Sequence, residues 1–268
     1  MDQMTSRRNA LPAVDEPRLT ARSVLASILL GVRPAELPTA ALVRSATLLG
    51  VAPGTARVAI SRMLAAGELE ATDGGYRLAG HLRQRSTRQD LSVAGVDGAW
   101  DGTWAMASVP GEARAAGERA ELRRAMAALR YAELRDGTWL RPANLPGGVL
   151  VEAEAIAARA VRVDGPLQGV EGPALAARLW DLGGWARTAR QLIERLDPLQ
   201  ARLDAGDATA LADGFVAAAA VLRHLQADPL LPSALVPPRW PGEELRAAQH
   251  RFDAAFKAVV RAEHRGDR

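Results

Sequence analysis

Residues 51–78 read VAPGTARVAISRMLAAGELEATDGGYRL. A proline opens an apolar-periodic segment, a glycine closes it, and two short strand-like runs follow around Asp-Gly-Gly. This order constrains the N-terminal part of the chain more than any other feature. Pro53 suits a first helical position, and Gly67 suits the residue after a helix. The Asp73-Gly74-Gly75 run predicts a tight hairpin with positive φ angles between ELEAT and YRL.

Two further helices precede this segment. TARSVLASILLGV (20–32) opens on Thr20 as N-cap and places Val24, Leu25, Ile28 and Leu29 at helical spacing. Gly31 and Pro34 end it. TAALVRSATLLG (39–50) is expected to be capped by Thr39 and stopped by Gly50. Three helices and a hairpin, with only a few residues between the second and third helices, is the order of a winged helix-turn-helix.

At 100° per residue, Ala56, Ala59, Ile60 and Met63 share one face of the third helix, the face to pack on the first two. Gly54, Val58, Ser61 and Ala65 lie opposite, with Arg57 and Arg62 on the two edges and Thr55 near the Arg62 side. A shallow face of mostly small residues between two guanidiniums suits the DNA major groove, where arginine reaches guanine edges or phosphates. The same helix in isolation reads as solvent-exposed with two ordinary arginines. The setting and the local charge favour DNA. Between 39 and 89, Arg44, Arg57, Arg62, Arg77, Arg83, Arg85 and Arg88 face only Glu68, Glu70 and Asp73. Arg44, Arg83, Arg85 and Arg88 are expected to add phosphate contacts. The hairpin tip is acidic and glycine-rich, a wing in shape more than in chemistry.

Beyond residue 90 the texture changes. HLRQRSTRQ (81–89) reads as a basic, helical linker, and LSVAGVDGA (91–99) marks a boundary. WDGTWAMASVP (100–110) reads as a strand, GERAELRRAMAALRYAEL (117–134) as an amphipathic helix carrying Leu122, Met126 and Leu129, and DGTWLRPANL (136–145) as another strand. The stretch 147–165 reads as strand ends around a short helix. This β-α-β start suggests a small ferredoxin-like layer. Helices follow at 174–196, 207–226 and 243–264, with a proline-rich connector at 228–242. The expected class is α+β, mostly helical, in four segments. These are an N-terminal arm (1–19, mobile, with Arg7 and Arg8), a winged helix-turn-helix (20–90), a ferredoxin-like middle domain (98–172) and a helical C-terminal domain (173–268) for dimerisation and effector binding.

Composition removes some functions and leaves others. The 268 residues contain no cysteine, which excludes disulfides, thiolate catalysis and cysteine metal sites. The net charge is only +3, and Lys257 is the single lysine, so charge placement matters more than charge total. No apolar run approaches about 18 residues, the length of a membrane span, and the N-terminus has no signal core. The histidines are scattered, and no nucleophile elbow is present. No metal, cofactor or catalytic residue is expected. Asp97 and Asp101 are the residues on which a metal-dependent nuclease would rest, but Asp101 sits in a Trp-Asp-Gly turn. A ligand-binding or interaction module that no longer reads DNA is the remaining alternative.

Four segments together resemble the PaaX-type repressors, regulators of phenylacetate degradation. ARVAISRMLAAGEL (56–69) is similar to that family's recognition helix, with Arg57, Ser61 and Arg62 matching and Met63 in place of leucine. WDGTW (100–104), TWLRP (138–142) and DPLLPSALVPPRWPG (228–242) match in order along the chain. The resemblance implies a cytoplasmic bacterial transcription regulator, not an enzyme. It implies a homodimeric repressor that reads a near-palindromic double-stranded operator, with an aryl-CoA or acyl-CoA thioester as effector. It also implies a middle domain related to small CRISPR-associated nucleases. The DGG turn lacks the basic and aromatic residues that family members carry there, which argues against direct wing contact. For the effector, Trp104 and Trp139 are the candidate aromatic walls, and Arg130 and Arg141 the candidate phosphate partners. Core packing is the competing role of every tryptophan.

Overall fold

The computed structural model describes residues 20–96, 100–109 and 116–266. The N-terminal arm with Arg7 and Arg8, and Asp97, lie outside the described residues. Among the described residues the chain forms two compact units. One comprises 20–93, 188–226 and 242–266; the other comprises 94–187 and 227–241.

The first unit opens with α1 (Ala21–Leu30). Thr20 and Ser23 form a reciprocal cap: the Ser23 N–H donates to Thr20 Oγ1 at 3.1 Å, and the Thr20 N–H to Ser23 Oγ at 2.9 Å. This satisfies helix-end donors that would otherwise lack partners. A short strand β1 (Glu36–Pro38) follows, then α2 (Thr39–Leu48) and α3 (Pro53–Ala65). Thr39 is not a cap; it is the first helical residue, after Pro38. The three helices pack pairwise. Leu25, Leu29, Leu42, Ala46 and Ala56 are fully buried between them, with Ile60 and Met63 nearly so. Each such Leu or Ile contributes about 1.5–3 kcal/mol of burial.

β2 (Leu69–Ala71) and β3 (Gly75–Leu78) form the hairpin, and β1 pairs along the other side of β3. The sheet is antiparallel in the order β1-β3-β2. Three helices and this sheet stand in the order expected of a winged helix-turn-helix. The hairpin turn closes differently from the expectation. Thr72 N–H donates to Gly75 O at 3.0 Å, and Gly75 N–H to Thr72 Oγ1 at 3.1 Å. None of Asp73, Gly74 and Gly75 has positive φ. The glycine at 75 serves close approach instead, since a Cβ there would overlap the Leu37 carbonyl of β1.

α4 (Gly80–Ala94) is more than a linker. Leu82, Ser86, Gln89 and Ser92 are buried along one side of it. Gln89 Nε2 donates to Leu30 O at 3.1 Å, and Arg246 Nε donates to Ser92 O at 3.0 Å. The helix is thus tied on one side to α1 and on the other to the C-terminal part of the unit.

The second unit carries β4 (Thr103–Ser108), α5 (Ala116–Ala128), β5 (Ala132–Arg135), β6 (Thr138–Pro142), α6 (Val151–Ala157) and β7 (Val161–Pro166). The sheet order is β5-β6-β4-β7, all antiparallel. The first and third strands of a β-α-β-β-α-β run sit in the centre and the second and fourth at the edges, which is the ferredoxin-like arrangement. The helix expected over 117–134 ends at Ala128, because Arg130 takes φ 65° and turns the chain into β5. α7 (Gly172–Leu179) closes one face of the sheet. Its Leu175, Ala176 and Leu179 share a core cluster with Trp104, Ala132, Leu140 and Leu235.

α8 (Leu182–Asp204), α9 (Leu211–Gln226) and α10 (Gly242–Gly266) complete the chain. The helix expected over 174–196 is two helices, parted at Trp180, and α8 runs on through Pro198. The stretch Ala208–Gln226 has the length and apolar composition of a membrane span. Leu211, Phe215, Val221 and Leu225 within it are buried, and α9 packs on α10 through its apolar side.

Candidate nucleic-acid interface

The four-residue connection 49–52 carries Gly50 at φ 82° and delivers the chain to Pro53, so α2 and α3 are joined tightly. Ala56, Ile60 and Met63 anchor α3 to the other helices. This fixes the opposite side outward. Gly54, Thr55, Arg57, Val58, Ser61, Arg62 and Ala65 are all exposed, as the helical projection requires. Among the described residues no hydrogen bond or ion pair holds the side chain of Arg57, Arg62 or Arg44. Ser61 is partly committed, its hydroxyl donating to Arg57 O at 3.2 Å. Val58, 52% exposed, is the one large apolar side chain at the centre of this face. The sequence places it there, but its apolar character was not read as a contact.

The hairpin spends its charge internally. Arg77 and Glu70 stand opposite each other in the β2–β3 register, and Arg77 Nε donates to Glu70 Oε1. Glu68, at the foot of α3, is buried and bound by α1. Arg22 Nε donates to its Oε2 at 2.8 Å, and Arg22 Nη2 to its Oε1. These bonds hold the Glu68 carboxyl below the ordinary carboxylate range, against the opposing effect of burial. Two of the three acidic groups that the sequence sets against the arginines are therefore neutralised within the fold.

The α4 arginines do not act as a block. Arg83 is exposed, while Arg85 and Arg88 are half-buried. Burial first, then the like charges of Arg223, Arg88 and Arg22, push the Arg85 guanidinium below the usual arginine value. Arg85 stands on the packed side of its helix, between the buried Gln89 and Ser92 in angle.

In the second unit the effector candidates fall on two faces. Trp104 stands opposite Pro142 in the β4–β6 register, whereas Arg141 stands opposite Ala105 and Trp139 opposite Ala107. Side chains alternate along a strand, so Trp104 faces one way and Trp139 and Arg141 the other. Arg141 lies 5.0 Å over the Tyr131 ring and donates to Pro142 O at 3.2 Å. Arg130 and Trp139 are buried. On the Trp104 side lies a cavity of about 260 Å³, walled by Trp100, Trp104, Leu167, Pro173, Leu175 and Leu235. Trp100 and Trp104 meet edge to face at 5.7 Å, and among the described residues no charged side chain lines the space. Trp100, which sequence reasoning did not select for this role, is its second aromatic wall.

Asp101 is held by its turn. Its Oδ1 accepts from the Thr103 N–H at 2.9 Å, and the bonds from Thr103 lower its pKa. Among the described residues no three His, Asp or Glu side chains gather where they could share a metal ion.

Comparison with known proteins gives the same outline. Three family models match consecutive stretches: a PaaX-like protein over 20–82, the PaaX protein central Cas2-like domain over 97–163, and the PaaX-like protein C-terminal domain over 180–265. Among solved structures, the uncharacterized protein Rv0674 from Mycobacterium tuberculosis is 37% identical. The match covers 91% of this chain and 98% of that one, with a TM-score of 0.70. No curated protein matches. The mostly helical α+β arrangement with its two small antiparallel sheets fits these three domains. The chain belongs to the PaaX family, a family of transcription regulators.

Proposed function

We propose that the chain is a DNA-binding repressor that acts in the cytoplasm as a homodimer and reads a near-palindromic operator. What carries this reading is α3: Arg57 and Arg62, both exposed and without a side-chain partner among the described residues, border a face of small residues. In each protomer α3 lies in a major groove. Arg57 and Arg62 reach guanine edges or phosphates, Thr55 and Ser61 assist, and Val58 meets a thymine methyl. Arg44, Arg83 and Arg88 add phosphate contacts; Arg85, half-buried, adds least. The segments 20–90, 98–172 and 173–268 divide the work as reading head, middle domain and dimerisation or effector part.

The effector, an acyl-CoA or aryl-CoA thioester by family resemblance, places its acyl group in the cavity beside Trp100 and Trp104. The uncharged, aromatic-walled lining supports an apolar group there. The effector releases DNA by binding better to a state whose reading heads are misplaced. Tenfold weaker binding needs only about 1.4 kcal/mol of such coupling. The test is titration of the protein onto its own upstream DNA, with and without a panel of acyl-CoA thioesters. Selective, salt-dependent binding that one thioester weakens is expected. Equal affinity for upstream and unrelated DNA would remove the reading.

A further inference from the structure

Four guanidiniums gather around one side of α4: Arg85 and Arg88 of the helix itself, Arg223 of α9 and Arg22 of α1. Arg85 is half-buried. Two hydrogen bonds fix its surroundings. Gln89, one turn further along α4, donates to Leu30 O of α1 at 3.1 Å, and its Oε1 accepts from Gln226 Nε2 of α9 at 3.4 Å. Arg223 stands one turn before Gln226, as Arg85 stands one turn before Gln89. Arg223 exerts the largest like-charge effect on Arg85, ahead of Arg88 and Arg22.

The carboxylates close to α4 are committed elsewhere. Glu68 is bound by Arg22. Asp90 is bound by Arg33 and lies about 140° around the helix from Arg85. Among the described residues no hydrogen bond or ion pair engages the side chain of Arg85 or Arg88. A half-buried charge set against like charges is unfavourable until an opposite charge joins it.

We propose that Arg85 and Arg223 form a recessed site for the phosphate group of a small solute, with Arg88 and Arg22 adding to its field. Guanidiniums suit this group because their paired N–H donors match two phosphate oxygens. Two arginines on neighbouring helices can hold one dianion between them and cancel its charge. The recess selects a solute over a duplex. Arg83, exposed, lies about 160° around α4 from Arg85, so a duplex resting on Arg83 runs along the far side of the helix. The site belongs to the first unit and the cavity beside Trp100 to the second, so the inference stands apart from the effector reading.

The test is thermal melting in inorganic phosphate against chloride of equal ionic strength, without DNA. Phosphate should raise the wild-type melting temperature by about 2–4 °C along a saturating curve. Arg223→Gln and Arg85→Gln should lose that saturating gain and keep only the small linear rise that phosphate gives proteins in general. In chloride alone, Arg85→Met should melt no lower than the wild type, because it removes an uncompensated charge; in phosphate it should melt lower. Circular dichroism checks that each variant is folded. A wild-type gain that never saturates, or one that persists in Arg223→Gln, overturns the proposal. So does an Arg85→Met variant that melts below the wild type by the same amount in both buffers, which marks an arginine that only packs. An unrelated duplex separates the two sources of phosphate. Arg223→Gln should bind it as the wild type does; a loss there would make the cluster a DNA-backbone contact and overturn the solute site. Because melting is read without DNA, failure of this site leaves the assignment of α3 untouched.

Discussion

The third helix and the hairpin after it are neighbours in sequence and in space, yet they use their arginines differently. Among the described residues, α3 leaves Arg57 and Arg62 exposed and without a side-chain partner. The hairpin couples Arg77 to Glu70, and its tip offers only Asp73, Gly74 and the packed Gly75. One element presents charge; the other consumes it. The same contrast recurs within α4, where Arg83 is exposed and Arg85 is drawn toward the packed side. A count of basic residues over 39–89 misses this difference, because the useful quantity is charge left unpaired at the surface.

The largest effect should come from breaking the hairpin itself. Gly75→Val forces a side chain into the Leu37 carbonyl, so β1 and β3 must separate. A loss of about 2–4 kcal/mol in a urea unfolding titration is expected. A variant as stable as the wild type would contradict the close packing of Gly75 on β1. If the hairpin is only a scaffold, DNA binding should fall in proportion to lost fold and no further.

The next effect sharpens the contrast between carboxylates. Glu68→Gln removes the charge that Arg22 binds, and about 1–2 kcal/mol of stability should go with it at neutral pH. The folded pKa of Glu68 lies below its unfolded value. Its stabilisation is therefore complete above the ordinary glutamate value of about 4.3 and is lost as pH falls through the folded value. The gap in melting temperature between wild type and Glu68→Gln should close in acid. A constant gap from neutral pH to acid would contradict the ion pair.

A smaller effect separates phosphate contacts from base contacts. Arg44→Ala should weaken every DNA sequence alike and reduce the slope of log affinity against log salt by about one. A sequence-dependent loss would instead make Arg44 a base reader.

Much of this was legible in the sequence. The α3 faces follow from helical geometry, and Ala56, Ile60 and Met63 are buried while Arg57 and Arg62 are exposed, as projected. The Thr20 cap was legible because capping chemistry is local. The misses were non-local. β1 is three residues, Glu36–Pro38, with no periodicity to detect, and it exists because β3 lies beside it. β5 is Ala-Glu-Leu-Arg, a run of good helix formers held as a strand by β6. Gly75 looked like a turn residue because its close neighbour, Leu37, is 38 positions away in the chain. The effector candidates were split for the same reason. Trp104, Trp139 and Arg141 look like one group until strand register assigns them to opposite faces.

The most direct test of the central contrast is a single fluorescence anisotropy series on the upstream DNA. It compares Arg57→Ala, Arg62→Ala and Arg77→Ala with the wild type at one salt concentration. The first two should lose about 1–3 kcal/mol of operator affinity, roughly five- to 150-fold, with their melting temperatures unchanged. Arg77→Ala should bind within about threefold of the wild type, since its guanidinium is already paired. Normal affinity in both α3 variants, or a loss confined to Arg77→Ala, would contradict the account.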